Sequence, residues 1–515
     1  LPAVRRLLAL IVAAFALIVP TMAGADPADI NAAARGVVRV VIVGEEGGEV
    51  FPVSHGTGFA VSPERIVTNA HVVFDARKDP DLRIAIVPSD GSSAVYGKIV
   101  AFSPRNDLAL LATTEPLHLP ALTFSTSEEA DSGAVTAVGY PSNVDRAQGL
   151  DLEDIFSSQP PVKSTGFLAG RRPTREFDTI LHTAPIARGN SGGPLLDGCG
   201  RVIGINSFGT ESDGTDAEFF FAASARELLG FLRENAITPQ ANGSPCRSLA
   251  DLDEAERQRI EREQMIAREK ASADAFARDR SEERLREKAL FNIIAEREAL
   301  TVLAVMLLLG AAAMSHGAWH ARRQGDTRRF KIEGGITSAL VVALLLVWLS
   351  KPGFGDLDDR VLAMQRAAEG PEADASAAPA GEVTYKCIVD VERSRVTTAE
   401  TEDADVLWRP DGCVNGRTQY GRAQDGWSRV FVPNDEAAVS VNRFDAETAE
   451  FRTERYLLGR EAMDAARKAR GEYKAPACGA GPAAVADLGN SQQVILGQLP
   501  SDPNERIIYK CSATN

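Results

Sequence analysis

Read for hydrophobic and polar positions, the chain falls into contrasting stretches. From about Ile30 to Asn235, short apolar runs alternate with turns containing Gly and Pro. Val37–Val43, Ile84–Val87, Lys98–Ala101, Leu108–Ala112, Ala134–Val138 and Val202–Ile205 are short apolar runs of strand length. Many short strands at this spacing predict a sandwich or barrel. The stretch Ser224–Arg233 switches to helical spacing, with Leu228, Leu229 and Leu232 on one side, and predicts a terminal helix.

Beyond Leu249 the pattern changes. Up to Glu298, Arg, Glu, Asp and Ala dominate, with neither Pro nor Gly, which predicts one long helix laced with opposite charges. Its apolar positions, among them Ile260, Met265, Ile266, Phe276 and Leu285, are too sparse for a heptad seam, so a solvated stalk is expected. Two apolar spans follow, Ala299–Ala318 and Gly334–Leu349, each near the ~20 residues that cross a bilayer as a helix. Arg322, Arg323, Arg328, Arg329 and Lys331 lie between them. Positive charge in a short connection marks the cytoplasmic side, so the pair is expected to form a membrane hairpin with both ends outside. Residues 351–381 read as a linker, rich in Ala, Pro, Glu and Gly over 367–381. Residues 382–515 combine β-type runs such as Trp427–Val432 with a helical patch at Glu461–Arg470, which predicts a small β-rich or α+β domain.

The N-terminus reads as an export signal over residues 1–25. Arg5 and Arg6 precede the apolar run Leu7–Val19, and Ala23-Gly24-Ala25 fits a cleavage site. The six cysteines all lie beyond it, outside the apolar spans. An even number in an exported chain predicts disulfides. Cys199 and Cys246, alone before the membrane, are expected to pair. For the four that follow, Cys387 with Cys511 and Cys413 with Cys478 is the favoured of three possibilities. Without a CxxC pair, and with six His in 515 residues, neither a metal nor another cofactor is expected. The net charge of −15 argues against nucleic acid as a partner.

Three segments carry candidate chemistry. Thr68-Asn69-Ala70-His71 follows Gly56-Thr57-Gly58-Phe59; Asn106-Asp107-Leu108 comes next; Gly189-Asn190-Ser191-Gly192-Gly193-Pro194 is the third. A serine hydroxyl is a weak nucleophile until a base removes its proton. His71 is the candidate base and then acid, and Asp107 the group that holds the imidazole tautomer. The glycines around Ser191 permit a tight turn that gathers the Gly189 and Ser191 N–H groups into an oxyanion hole. The order His, Asp, Ser is that of chymotrypsin-type proteases.

At these residues, in the stretches GTGFAVSPERIVTNAHVV, NDLALL and HTAPIARGNSGGPLLDGCGRVIGINSFG, the sequence resembles the trypsin-like peptidase superfamily and especially bacterial Deg-type proteases. The resemblance covers about residues 36–235. It implies a double β-barrel protease domain (26–246) with the triad between the barrels; with the charged helical stalk (247–298), the two membrane helices (299–350) and the exported cysteine-containing domain read above, a mainly β protein is expected. It further implies that Ser207, Phe208 and Gly209 form the edge on which substrate pairs as an added strand, and that Pro185, six before Ser191, lies at the floor of the primary pocket. With an uncharged floor and a wall at Phe219–Ala222, the pocket is expected to be shallow and apolar and to take Ala or Val. Two departures stand out. Asn190 replaces the Asp that precedes the nucleophile in digestive trypsins, and no PDZ-like domain is evident after the protease region. The expected partners are a protein or peptide substrate and the lipid bilayer of a bacterial inner membrane, with the protease in the periplasm. A regulatory ligand of the C-terminal domain is a further possibility. The alternatives to an active endopeptidase are an idle protease-fold scaffold and a sensor whose last domain controls the protease.

Overall fold

The computed structural model describes residues 27–117, 119–127, 133–151, 154–174, 177–210, 218–368, 381–398, 401–423 and 426–514. The expected export signal and residues 369–380 of the expected linker fall outside this set. The chain divides into two units, one comprising residues 1–256 with 378–515 and the other residues 257–377.

The first unit opens with helix α1 (Pro27–Ala34) and strands β1 (Val37–Glu46), β2 (Glu49–Ser62) and β3 (Arg65–Thr68). Helix α2 (Phe74–Lys78), β4 (Arg83–Pro88), β5 (Val95–Ser103) and β6 (Leu108–Thr113) follow. These six strands close into an antiparallel barrel in the order β1-β2-β3-β6-β5-β4. Strand β1 is buried from Val37 to Gly44, which explains why its apolar run does not alternate. Val38, Val40 and Ile42 fill the barrel, while Val41 and Val43 on the opposite face pack with Ala85 and Val87.

A second set comprises β7 (Phe124–Ser125), β8 (Ala134–Gly139), helix α3 (Ser142–Ala147), β9 (Val162–Arg171), β10 (Thr179–His182), β11 (Pro194–Leu196), β12 (Val202–Gly209), β13 (Phe220–Ser224), helix α4 (Ala225–Glu234) and β14 (Ala241–Asn242). Six strands run β11-β8-β9-β10-β13-β12, and the β11–β12 pairing closes them into a second barrel, with β7 and β14 added beside β12. Ser224 caps α4 by accepting from the Glu227 N–H, and Leu228, Phe231 and Leu232 are buried. A shared core of Phe59, Val67, Leu110, Phe124, Val138, Ile205 and Leu228 joins the barrels.

The rest of this unit is one antiparallel nine-stranded sheet. Its strands are β15 (Val383–Val389), β16 (Ala404–Trp408), β17 (Cys413–Val414), β18 (Thr418–Gln419), β19 (Gly421–Ala423), β20 (Gly426–Phe431), β21 (Ala438–Asp445), β22 (Glu450–Leu457) and β23 (Glu505–Thr514). Two helices from this region, Arg460–Gly471 and Pro482–Leu496, complete an α+β arrangement; Met463, Ala466 and Ile495 pack on Val430, Val439 and Val441. The second helix was not foreseen. Its Gly489 lies so close to β19 that a Cβ on Gly421 would meet the Gly489 nitrogen at 2.6 Å, an approach that sequence spacing does not reveal.

The disulfides are Cys199–Cys246, Cys387–Cys511 and Cys413–Cys478. Cys387 and Cys511 face each other across the β15–β23 ladder. The nine-stranded region packs directly on the barrels. Arg395 pairs with Asp29 of α1, each side chain 2% exposed, and Asn504 Nδ2 donates to the same carboxylate at 2.8 Å.

In the second unit the charged stretch and the first apolar span are a single uninterrupted helix, Leu249–Arg323, whose first turns belong to the first unit. A second helix, Thr327–Leu349, follows after a turn at Gln324-Gly325-Asp326. The basic connection is therefore shorter than expected. Arg322 and Arg323 end one helix, and Arg328, Arg329 and Lys331 lie in the first turns of the next. Asp326 caps that helix by accepting from the Arg329 N–H at 3.0 Å, which ends the turn early. Both helices are long and apolar enough to cross a membrane. Leu303, Leu308, Leu309, Leu345, Leu346 and Trp348 are exposed. A final short helix, Leu357–Ala368, completes the unit.

Candidate active site

The site is assembled where the two barrels meet. Strand β3 ends at Thr68, and the following residues turn into one 3-10 turn, His71–Val73. Asp107 sits just before β6 with φ of +55°, a left-handed conformation that Asp tolerates better than most side chains. This conformation lets one residue serve the His71 segment twice. Its carbonyl accepts from Ala70 N at 3.0 Å and Asn69 Nδ2 at 2.9 Å. Its carboxylate meets the His71 N–H at 3.0 Å through Oδ1 and His71 Nδ1 at 2.8 Å through Oδ2. From the second barrel, Ser207 Oγ donates to Oδ2 at 2.6 Å. With Nδ1 as donor to the carboxylate, Nε2 is left as the acceptor.

Ser191 lies in the turn between β10 and β11. Gly189 and Gly192 have φ of +100° and +86°. A Cβ on Gly189 would meet the Tyr140 carbonyl at 2.2 Å, and one on Gly192 the Thr57 carbonyl at 2.0 Å. Both positions therefore require glycine, for conformation and for space. The turn is tied to the first barrel by Thr57, which is fully buried. Its N–H donates to Ser191 O at 2.9 Å, its hydroxyl donates to Gly189 O at 2.6 Å, and that hydroxyl accepts from Tyr140 N at 3.0 Å. Ser191 Oγ donates to the Ser207 carbonyl at 3.0 Å, so in this structure its hydroxyl proton points at β12.

The two N–H groups flanking Asn190 have defined directions. Arg188 O accepts from Ser142 N at 2.8 Å and Asn190 O accepts from Gly193 N at 2.9 Å. Across a trans peptide the N–H points opposite its carbonyl, so the Gly189 and Ser191 N–H groups face away from those partners. Among the described residues neither has a backbone acceptor.

Of the residues expected around a specificity pocket, those on β12 and β13 are neighbours. Pro185 is exposed in the turn after β10. Ser207 lies at the bulge where the β12–β13 register shifts, and Gly209 pairs with Phe220. Phe208, 44% exposed, stacks on Phe221 with ring centroids 4.9 Å apart. Phe220 is buried and its ring lies 5.9 Å from that of His182. Burial pushes the His182 imidazole down to about 4, so it is neutral near pH 7. Asn190 is buried beside Gly139, where a Cβ would meet its side-chain oxygen at 2.7 Å.

Sequence reading named Thr57 and His182 only within longer motifs and gave no role to either or to the Ser142 N–H. Thr57 carried a usable signal, a polar residue flanked by two glycines ahead of an apolar run. His182 carried none beyond its position nine residues before Ser191. Among the described residues no group of three His, Cys, Asp or Glu side chains is placed to hold a metal ion.

Residues 56–205 match the family model described as a trypsin-like peptidase domain. The chain is 33% identical over 206 residues to serine protease Rv3671c of Mycobacterium tuberculosis, covering 38% of this chain and 46% of that protein. It is 34% identical over 178 residues to the mitochondrial serine protease HTRA2 of Bos taurus, covering 34% and 36%. It is 30% identical over 191 residues to a probable periplasmic serine endoprotease DegP-like of Bartonella henselae, covering 36% and 35%. A crystal structure of the M. tuberculosis Rv3671c protease in its active form aligns with a TM-score of 0.32 and 25% identity over 43% of this chain and 91% of that one. The chain spans less than half the length of these curated relatives.

Proposed function

We propose that this chain, whose residues 56–205 form a trypsin-like peptidase domain homologous to serine proteases of the HtrA and Deg type, is a serine endopeptidase that cleaves proteins through an acyl-enzyme. The observation that carries the reading is the convergence on Asp107. His71 Nδ1 and Ser207 Oγ share its Oδ2, at 2.8 and 2.6 Å, while Ser207 O receives the Ser191 hydroxyl. Ser191 attacks the scissile carbonyl as His71 Nε2 takes its proton. Asp107 stabilises the imidazolium, and the Gly189 and Ser191 N–H groups receive the oxyanion. His71 then protonates the leaving amine, and water repeats the sequence to free the acid. Substrate pairs with the Ser207–Gly209 edge, and the pocket beside that edge and its paired strand Phe219–Ala222 takes a small aliphatic side chain, with a Phe on that wall as the group that limits its depth.

The two apolar helices support a bilayer anchor, with the basic turn in the cytoplasm and the peptidase in the periplasm. The buried Arg395–Asp29 pair favours a second role for the last domain, control of the peptidase, because it ties residues 382–515 to the barrels within one unit.

The test is labelling of the full chain by a fluorophosphonate, with hydrolysis of a peptide library. Labelling at Ser191, its loss in Ser191→Ala and cleavage after Ala or Val support the reading. An unlabelled parent protein that hydrolyses nothing returns the chain to the scaffold reading, and dominant cleavage after Lys or Arg removes the pocket assignment.

A further inference from the structure

A buried charge cluster sits directly behind the Ser191 turn, and none of the steps above uses it. Arg39 lies in the middle of β1, in an otherwise apolar stretch, and is 1% exposed. Its Nη2 meets Asp145 Oδ1 at 2.9 Å and its Nη1 donates to the Ile155 carbonyl at 3.2 Å. The guanidinium also lies over the Tyr140 ring, 4.7 Å from its centroid. His55 closes the cluster, with Nε2 3.2 Å from the Tyr140 carbonyl and 3.5 Å from Asp145 Oδ2. Burial first, and Arg39 second, hold the His55 imidazole below its usual range, so Arg39 supplies the cluster's positive charge at neutral pH.

An ion pair this deep is poor value as a general stabiliser, because desolvation of both groups offsets their attraction. Its position suggests another role. Asp145 belongs to α3, a helix of six residues that opens with Ser142. Ser142 is the residue whose N–H holds the Arg188 carbonyl at 2.8 Å. The Arg188–Gly189 peptide has glycine on its far side, and glycine offers no side-chain resistance to rotation of that peptide. If it turned over, the Gly189 N–H would leave the site and the carbonyl would take its place. Thr57 restrains the next peptide, through Gly189 O, and leaves this one to Ser142.

We propose that the Arg39–Asp145 pair is a positioning device: it fixes the first turn of α3 so that the Ser142 N–H holds the Arg188 carbonyl and keeps the Gly189 N–H aimed at the oxyanion. The inference rests on the peptidase reading and assigns a residue pair to its regulation. The chain of contacts runs from β1 of the first barrel, through α3, to the nucleophile turn of the second.

The structure offers a clean perturbation. Ser142 is the first residue of α3, and Pro141 before it has φ −73° and ψ 124°. That is the conformation a residue preceding proline adopts, and proline is well accepted at a first helical position. Ser142→Pro therefore fits the helix yet replaces the N–H with a ring carbon aimed at Arg188 O. Ser142→Ala keeps the N–H. Full-length parent, Ser142→Pro, Ser142→Ala, Asp145→Asn and Arg39→Lys proteins are compared in three measurements: kcat and KM on one peptide, inhibition by a peptide aldehyde whose hemiacetal oxygen occupies the oxyanion site, and binding of the matching product acid. The expected result for Ser142→Pro is a kcat lower by about 10²–10³, a proportional loss of aldehyde affinity, and KM and product binding within a few-fold of parent. Ser142→Ala stays at the parent level. Asp145→Asn shows the same pattern at smaller size, and Arg39→Lys restores less than full activity because one amine cannot reach both Asp145 and Ile155 O. Parent-level kcat and aldehyde affinity in Asp145→Asn overturn the proposal, and parent-level values in Ser142→Pro overturn it as well. So does an equal loss of aldehyde and product binding, which marks general disruption. A parent protein inert to fluorophosphonate removes the peptidase reading, and this inference with it.

Discussion

Replacing Asp107 by Asn is the sharpest test of the proton path, because the surrounding contacts dictate how the amide must sit. The His71 main-chain N–H, 3.0 Å from Oδ1, is a donor and nothing else. It claims the amide oxygen of Asn. The NH2 then occupies the Oδ2 position, facing His71 Nδ1 and Ser207 Oγ, now at 2.8 and 2.6 Å. Ser207 adapts by rotating its hydroxyl to accept. His71 adapts by moving its proton from Nδ1 to Nε2, the nitrogen that should accept from Ser191. The imidazole stays in place in the wrong tautomer. Each of the three contacts keeps one donor and one acceptor, so the melting temperature should change little. The kcat should fall about 10⁴-fold, or about 5.4 kcal/mol at 1.36 kcal/mol per factor of ten. The assay is peptide hydrolysis at neutral pH with active-site titration to count competent protein. A kcat within tenfold of the parent would show that Asp107 does not set the His71 tautomer and would refute the argument.

Three further outcomes are expected. Gly189→Ala should abolish turnover and lower the melting temperature, since the new methyl must displace the Tyr140 carbonyl 2.2 Å away from a φ of +100°; calorimetry and peptide hydrolysis read both, and an active, stable variant would contradict the turn geometry. Arg395→Met leaves the Asp29 carboxylate buried without its guanidinium, while Asn504 Nδ2 still donates to it, and should cost about 3–5 kcal/mol. Urea unfolding of the solubilised chain checks this, with Asp29→Leu/Arg395→Met expected to recover part of the loss; an unchanged midpoint in the single variant would deny the pair its role. A reporter active only in the cytoplasm should work when inserted at Gly325 and fail when fused after Asn515, and the opposite pattern would reverse the topology.

Local pattern determined a good deal of this protein by itself. Strand-length apolar runs marked the barrels, because a strand buried on both faces, such as β1, has no way to alternate. The candidate residues His71, Asp107 and Ser191 stood out because each sits in a turn whose neighbours are constrained by local sterics, and those constraints write themselves into adjacent residues such as Gly189 and Gly192. The two spans of membrane length were legible from apolarity, although the boundaries between stalk, span and basic turn were not, since helix geometry runs through a change of polarity unbroken until a residue such as Asp326 caps the next helix. What only the tertiary structure decided are the contacts between distant residues. Ser207 meets Asp107 across 100 residues, Arg39 meets Asp145 across 106, Thr57 meets Gly189 across 132 and Asp29 meets Arg395 across 366. Each is a buried or partly buried polar pair whose partners carry no mark of each other in their own neighbourhoods. A buried charge announces that it must be satisfied, but which group satisfies it depends on the packing of both barrels and the last domain together.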